Sequence, residues 1–410
     1  MDNRSQRQRQ KQLAERRRAM AIQRGIRIGA ILLALVLAII SLTQSCALRR
    51  DMKELAAQLR EKKLAQAQQE ILAAQTVAEP EESQEPLAQG IQVTLSFVGD
   101  IMLGEDDNRE DGRLVQDLYE ERGASYFFQN VRSIFEGDDL TTASLVGSLT
   151  TTDIRRSWDD AYRAELGYTE VLTGSGIDAV TVANAHALDY SDEGYVDTLA
   201  NLDNAGIQRF GFDDTARVGV TGVLPATGVT VPAGSVTVGF LGVYQRSETN
   251  YEAQALQDIE ALKEQGADII VAVVSWYSEQ ANTPDDSQIL TAHKLIDNGV
   301  DLVVGIQPYV LQGVEIYHGK YIAYSIGSFM TADAQPQSTD SLIFQQTFTV
   351  LDGAVQGLAD FNLIPCSISG NSGKNDCCPI ILEGSERQRV LDHIYDMSVE
   401  LDGGVSPPEE

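Results

Sequence analysis

Positive charge is what this 410-residue sequence has least of: 31 Lys and Arg stand against 60 Asp and Glu, for a formal charge of −29. The imbalance is uneven. Residues 1–27 carry nine Lys or Arg against Asp2 and Glu15, a sum of +7, which leaves −36 for residues 28–410. So acidic a body repels polyanions held by general electrostatics, which excludes a nucleic-acid partner. Histidine is as scarce as cysteine. His186, His293, His318 and His393 are the only imidazoles from which a metal or acid–base cluster could be built. The cysteines are Cys46, Cys366, Cys377 and Cys378, and the last three, with a vicinal pair, fit a usual zinc spacing poorly. No Gly-x-Ser-x-Gly segment is present, so a serine nucleophile elbow is excluded, and no internal repeat is visible.

Against these absences stands an ordinary 43% hydrophobic content, enough to bury a core. Residues 28–42 are apolar except for Gly29 and Ser41, and the stretch runs on to Ala47. Twenty residues at helical rise span a bilayer, so 28–47 is expected to be a transmembrane anchor, with the basic arm 1–27 cytoplasmic and everything later outside the cell. A cleaved signal peptide is the alternative, but the leader is long and no clean Ala-x-Ala site follows. Lipidation at Cys46 is another, in the poor context of Thr43, Gln44 and Ser45. Leu48, Met52, Leu55 and Leu59 then make a short heptad seam that ends at Lys62, so 48–77 is expected to be a solvated helical stalk, with weak dimerisation as the alternative. Residues 78–92, acidic and with two prolines, read as a linker.

From residue 93 the sequence alternates strand-like and helix-like stretches, which argues for a layered α/β domain over 93–399. Residues 400–410, rich in Gly, Pro and Glu, are expected to be disordered. Val93, Leu95 and Phe97 alternate with Thr94 and Ser96 as in a half-buried strand. Gly99 then suggests a sharp turn that displays Asp100 at the strand's C-terminal end, where open α/β sheets place their ligands. The alternative is an aspartate bonded to its own loop.

Several blocks, in order, resemble the CapA capsule-synthesis family: Val-Gly-Asp-Ile-Met-Leu-Gly at 98–104, Leu-x-Gly-x-Leu-Thr at 145–150, Val-Ala-Asn-Ala-His-Ala-Leu-Asp-Tyr at 182–190, the run at 301–315, and Gly-Lys-Tyr-Ile-Ala-Tyr-Ser-Ile-Gly-Ser-Phe at 319–329. The resemblance implies a four-layer α/β/β/α domain similar to calcineurin-like metallophosphoesterases. It also implies a role in making or attaching poly-γ-glutamate or a related surface polymer, and a metal site whose first ligand is Asp100. Most of that site is changed here. The family's Asn-Leu-Glu reads Ser144, Leu145, Val146, and its Asn-Asn-His reads Asn184, Ala185, His186. Its His-Trp-Gly-x-Glu reads Ser275, Trp276, Tyr277, Ser278, Glu279, and its Gly-His-His-Pro-His reads Gly305, Ile306, Gln307, Pro308, Tyr309.

A catalytic metal needs about three protein ligands and an open position. Val146, Ala185 and Ile306 have no lone pair to give, so the expectation is no metal and no catalytic residue, with Asp100, Asn184, His186 and Glu279 as vestiges. Trp276, Tyr277, Gln307 and Tyr309 are expected to line an aromatic cleft that stacks on sugar rings or polymer segments, the alternative being aromatics that only fill the vacated space. In an oxidising exterior, Cys366 is expected to bond Cys377 or Cys378. The reading is a membrane-anchored binding or scaffolding component that meets the bilayer and either polymer-synthesis membrane proteins or a surface polymer. Its alternative is an active surface phosphoesterase or hydrolase using manganese, zinc or iron.

Overall fold

The structure, a computed structural model, describes residues 90–408 except 109–113, 157–159, 212–227, 234–235, 246–250, 277–280, 334–335, 337 and 372. The basic arm, anchor and stalk expected over 1–77 and most of the expected linker lie outside the described residues. Among the described residues no helix is long and apolar enough to cross a membrane.

The alternation read from the sequence becomes two sheets. The first, nine-stranded among the described residues, has strand β1 (Ile91–Met102) at its centre. On one side β1 runs antiparallel to Asp340–Leu351, and on the other parallel to Leu140–Val146. The second sheet has the parallel strands Val236–Gln245, Ile269–Trp276, Leu302–Ile306 and Lys320–Ala323 at its heart. Side chains at every second position decide how the sheets pack. Val93, Leu95 and Phe97 meet Val271, Val273 and Val304 in an apolar layer between the sheets. Val98, Ile101, Ala143 and Val180 face the other way, against Phe127, Phe128 and Leu199 on the helical side. Ile270, Ala272 and Val274 turn outward onto Ile259, Leu262 and Leu295 of the Tyr251–Glu264 and Asp286–Asp297 helices. The order is therefore helices, sheet, sheet, helices, the four layers that the resemblance implies. Val390, Ile394 and Met397 of the Gly384–Ser398 helix join the layer between the sheets.

Two expectations about the ends of the domain are corrected. β1 already starts at Ile91, inside the stretch read as linker. At the other end, the segment expected to be disordered is packed: Leu401 and Val405 are buried, Gly403 accepts the Ile316 N–H, and Val405 donates to the Val314 carbonyl. Those backbone bonds do not depend on side chains, so a Gly- and Pro-rich composition could not reveal them.

Ending the chain after Val399 removes these contacts. At about 1.5–3 kcal/mol for each of the two buried apolar side chains and about 2–4 °C per kcal/mol, unfolding should shift down by roughly 6–24 °C. An unchanged melting curve would show that the segment adds nothing.

Candidate functional site

Asp100 owes its position to a break in β1. Val98 and Ile101 both face the helical layer although they are three apart, and the pairing shifts register on either side of Asp100. Gly99 does not turn the chain, as its sequence position suggested. Instead it allows close approach: a Cβ there would lie 1.8 Å from the Gly327 carbonyl oxygen. The bulge leaves Asp100 within the strand, 1% exposed, beside Ser144 and Ser328 of the neighbouring strands.

The second sheet supplies its partner. The turn after the Leu302–Ile306 strand holds Gln307 at φ 86° and Tyr309 at φ 60°, unusual for residues other than glycine. In that conformation the Gln307 N–H donates to Asp100 Oδ2 at 3.2 Å, and the Gln307 side chain pairs with the Ser275 hydroxyl. Asp100 Oδ1 and Ser144 Oγ are buried without a hydrogen-bond partner. Burial pushes the Asp100 carboxyl up to about 6, against the opposing pull of Ser144, the Gln307 N–H and His186.

Asn184 and His186 follow the Ala179–Thr181 strand. Asn184 is committed to the backbone: its Nδ2 donates to the Leu145 carbonyl at 2.7 Å, and its Oδ1 accepts the His186 N–H at 3.0 Å. His186 Nδ1 lies 2.9 Å from Asp189 Oδ2, which also accepts the Tyr162 N–H. The Tyr162 ring stands edge-on to the imidazole at 4.8 Å. Tyr309 completes the group. Burial first, then Asp100, Tyr162, Tyr244 and Asp189, push its phenol far up, so it stays a protonated donor.

Asp100, Asn184, His186, Gln307 and Tyr309 thus come together as expected, while Tyr277 and Glu279 lie outside the described residues. Trp276 is a correction. It is fully buried, packs with the outer helical layer and donates from Nε1 to the Tyr324 carbonyl at 2.6 Å, so it is no cleft wall. The expected disulfide is a second correction. Cys366, Cys377 and Cys378 are buried free thiols, whose sulfurs meet the carbonyls of Ile364, Thr331 and Tyr126 respectively. The remaining histidines pair elsewhere, His293 with Glu315, His318 with Asp297 and His393 with Asn282. Asp189 and Tyr162 were missed as members of the group, although the His-x-x-Asp spacing of His186 and Asp189 was a usable sign.

Fold and site together define a four-layer α/β protein with a cluster of polar side chains near the ends of the central strands of its two sheets. Within that class its family is clear. The pattern described as bacterial capsule synthesis protein PGA_cap matches residues 94–333, more than half of the sequence, and the chain belongs to this family. It is 30% identical to the PGA biosynthesis protein CapA of Bacillus subtilis (strain 168), over 62% of this chain and 67% of that protein. It is 25% identical to the capsule biosynthesis protein CapA of Bacillus anthracis, over 69% of each. Among solved structures it is similar to the sulfate thiohydrolase SoxB of Thermus thermophilus, at 12% identity over 78% of this chain and 62% of that one, with a TM-score of 0.38, a level that says nothing of activity.

The residues present do not fit the divalent metal that the resemblance implies. Among the described residues, no three His, Cys, Asp or Glu side chains are placed to hold one. Asn184 is spent on backbone, Ser275 and Gln307 satisfy each other, and the Gln307 backbone N–H donates to Asp100 Oδ2.

A test follows from the Asp100 carboxyl. Its folded-state pKa is raised from 3.8 to about 6, so the folded protein holds the proton more tightly than the unfolded chain does. Stability from this group is therefore full below about pH 4 and is lost as pH rises through 6. Asp138, also raised to about 6 by burial, acts in the same direction, so the difference between native protein and Asp100→Asn isolates Asp100. The amide keeps an acceptor for Gln307 and adds a donor toward Ser144. At pH 8 the variant should be more stable by up to about 3 kcal/mol, with the gap closing toward pH 4. Urea unfolding at several pH values measures it, and a variant that is less stable at pH 8 contradicts the assignment.

Proposed function

We propose that this chain is a membrane-anchored, extracellular accessory of capsule or poly-γ-glutamate-type polymer synthesis, and that its cleft binds rather than hydrolyses. The family and the names of the CapA relatives support the general role, and the apolar stretch at 28–47 supports the anchor. The observation that carries the binding half is the Gln307 N–H on Asp100, at a position where the resemblance implies an imidazole ligand. It takes one acceptor position on Oδ2, and among the described residues no three His, Cys, Asp or Glu side chains are placed to make a ligand set. Tyr162 and Tyr309, both only partly buried, offer ring faces to a polymer segment, and polymer-synthesis membrane proteins are the partners in this reading.

Manganese, zinc or iron(II) added to the purified protein should leave its melting temperature unchanged. A real site, filled at a hundred times its Kd, would add about 2.7 kcal/mol. A clear upward shift that Asp100→Ala abolishes would instead favour a metal-dependent phosphoesterase or hydrolase built on Asp100, Asn184, His186 and Glu279.

A further inference from the structure

The Tyr168 phenol is a donor without a partner. Its residue is 5% exposed, and its ring is fixed in the helical layer, stacked on Tyr119 with centroids 4.2 Å apart. Among the described residues the hydroxyl makes no hydrogen bond. It is also not one of the fully enclosed atoms that lack a partner, so the surface that Tyr168 keeps includes its oxygen. A buried tyrosine ordinarily finds a partner for that group. What Tyr168 borders instead is a cavity of about 340 Å³. Burial first, then Glu105, Glu165 and Glu120, push the phenol far up, so it meets the cavity as a protonated donor.

The described walls around that donor carry five carboxylates, Glu105, Asp106, Asp107, Asp153 and Glu165, against the single guanidinium of Arg163. Arg163 is already saturated. It donates to Asp153 Oδ1 at 2.8 Å and to the Thr152 carbonyl at 2.7 Å, lies 2.6 Å from Asp107 Oδ2, and covers the Tyr190 ring at 4.8 Å. Asp106 has Arg155 at 2.5 Å. Glu165 is exposed and makes no hydrogen bond or ion pair among the described residues. Negative charge is therefore left over once the pairs are formed, which repels an anion and attracts a cation. An ammonium alone would leave the Tyr168 hydroxyl unanswered, because it has no lone pair to accept with. A hydroxyl oxygen has one. The volume of 340 Å³ is at the small end of ligand pockets, which run to roughly 300–1,000 Å³, so the guest is of single-ring size. None of Asp100, Asn184, His186, Gln307 and Tyr309 lines the cavity. We propose that it is a binding site, separate from the Asp100 cluster, for a hydroxylated organic cation such as an amino sugar, whose hydroxyl accepts from Tyr168 and whose ammonium faces Glu165.

Glucosamine, glucose and glucuronate test it, since they share a pyranose ring and differ in charge. At about pH 6, where an amine is protonated, ligand-observed NMR on the purified full chain should show glucosamine binding about 5-fold tighter than glucose, the worth of one well-placed ion pair at a surface. The gap should narrow in molar salt, and glucuronate should bind weakest. Tyr168→Phe, which deletes only the hydroxyl, should weaken glucosamine and glucose alike by about 5-fold and keep their ratio. Glu165→Gln should narrow that ratio. Equal binding of glucosamine and glucose to the native protein would overturn the proposal, as would glucuronate binding as tightly as glucosamine, or no binding of any of the three at tens of millimolar. A ratio that Glu165→Gln leaves unchanged would count against it in the same way. If Tyr168→Phe fails to fold, the native series together with Glu165→Gln, a change at an exposed position, decides alone.

Discussion

The close approach of two backbones at Gly99 and Gly327 sets the terms for the cleft. The Gly327 carbonyl occupies the space of a side chain at 99, so β1 can lie against the Ser328–Met330 strand only where residue 99 has none. The register slips beside that contact, and Asp100 is left inside the first sheet, within reach of a turn from the second. Gln307 and Tyr309 depart from ordinary backbone conformation to reach it, a departure that costs of order 1–3 kcal/mol per residue and persists only where the surroundings fix it. The two sheets are thus joined at this end by a polar contact and elsewhere by the apolar layer.

Several of the positions where the resemblance implies a metal site hold neutral groups that bond to one another or to backbone. Ser275 pairs with Gln307, Asn184 with Leu145 and His186, and Tyr309 presents a protonated phenol. The replacements Ser275, Gln307 and Tyr309 are weaker metal ligands than imidazole and bring donors of their own. A buried carboxylate that loses its cation must be compensated by donors or by a proton. Asp100 has one backbone donor on Oδ2, none on Oδ1, and a carboxyl whose proton is held up to about pH 6. Among the described residues, the side chains around Asp100 do not make the three-ligand set that a divalent metal needs.

Much of this was legible in the sequence. The two-residue period of Val93, Leu95 and Phe97 marked the central strand β1, and the alternation of strand-like and helix-like stretches marked the layered α/β class. The misreading of Trp276 shows where such reading fails. Taken as part of a motif with Ser275, it looked like a cleft residue. Taken by parity, it belongs with Ile270, Ala272 and Val274, which face the helices, while Ser275 belongs with Val271 and Val273, which face the other sheet. The ring also fits only because Gly305 opposite has no Cβ, which would lie 2.1 Å from Trp276 Nε1. The thiols were misjudged for a related reason. Spacing cannot say that Cys366 and Cys377 lie within the apolar helical layer, or that each sulfur has its own carbonyl. The bulge at Asp100 and the packing of the last residues are backbone events, and side-chain patterns carry little trace of them.

The imidazole that survives sharpens the case for binding. Asp189 fixes His186 by Nδ1, the arrangement a general acid or base requires. A base, however, needs a nucleophile to activate, and hydrolysis at neutral pH gets one from a metal-bound water or from a positioned side chain. The described donors supply neither, since the serines beside Asp100 are buried in the sheet and the Tyr309 phenol resists ionisation. The same pair serves binding without any such partner. His186 is held edge-on to Tyr162, and Asp189 ties both residues to one carboxylate oxygen, which pre-organises an aromatic and an imidazole side by side. Rigid faces of that kind lower the entropic cost of ordering a flexible chain, which is the property that the proposed binding role calls for on a strongly acidic body.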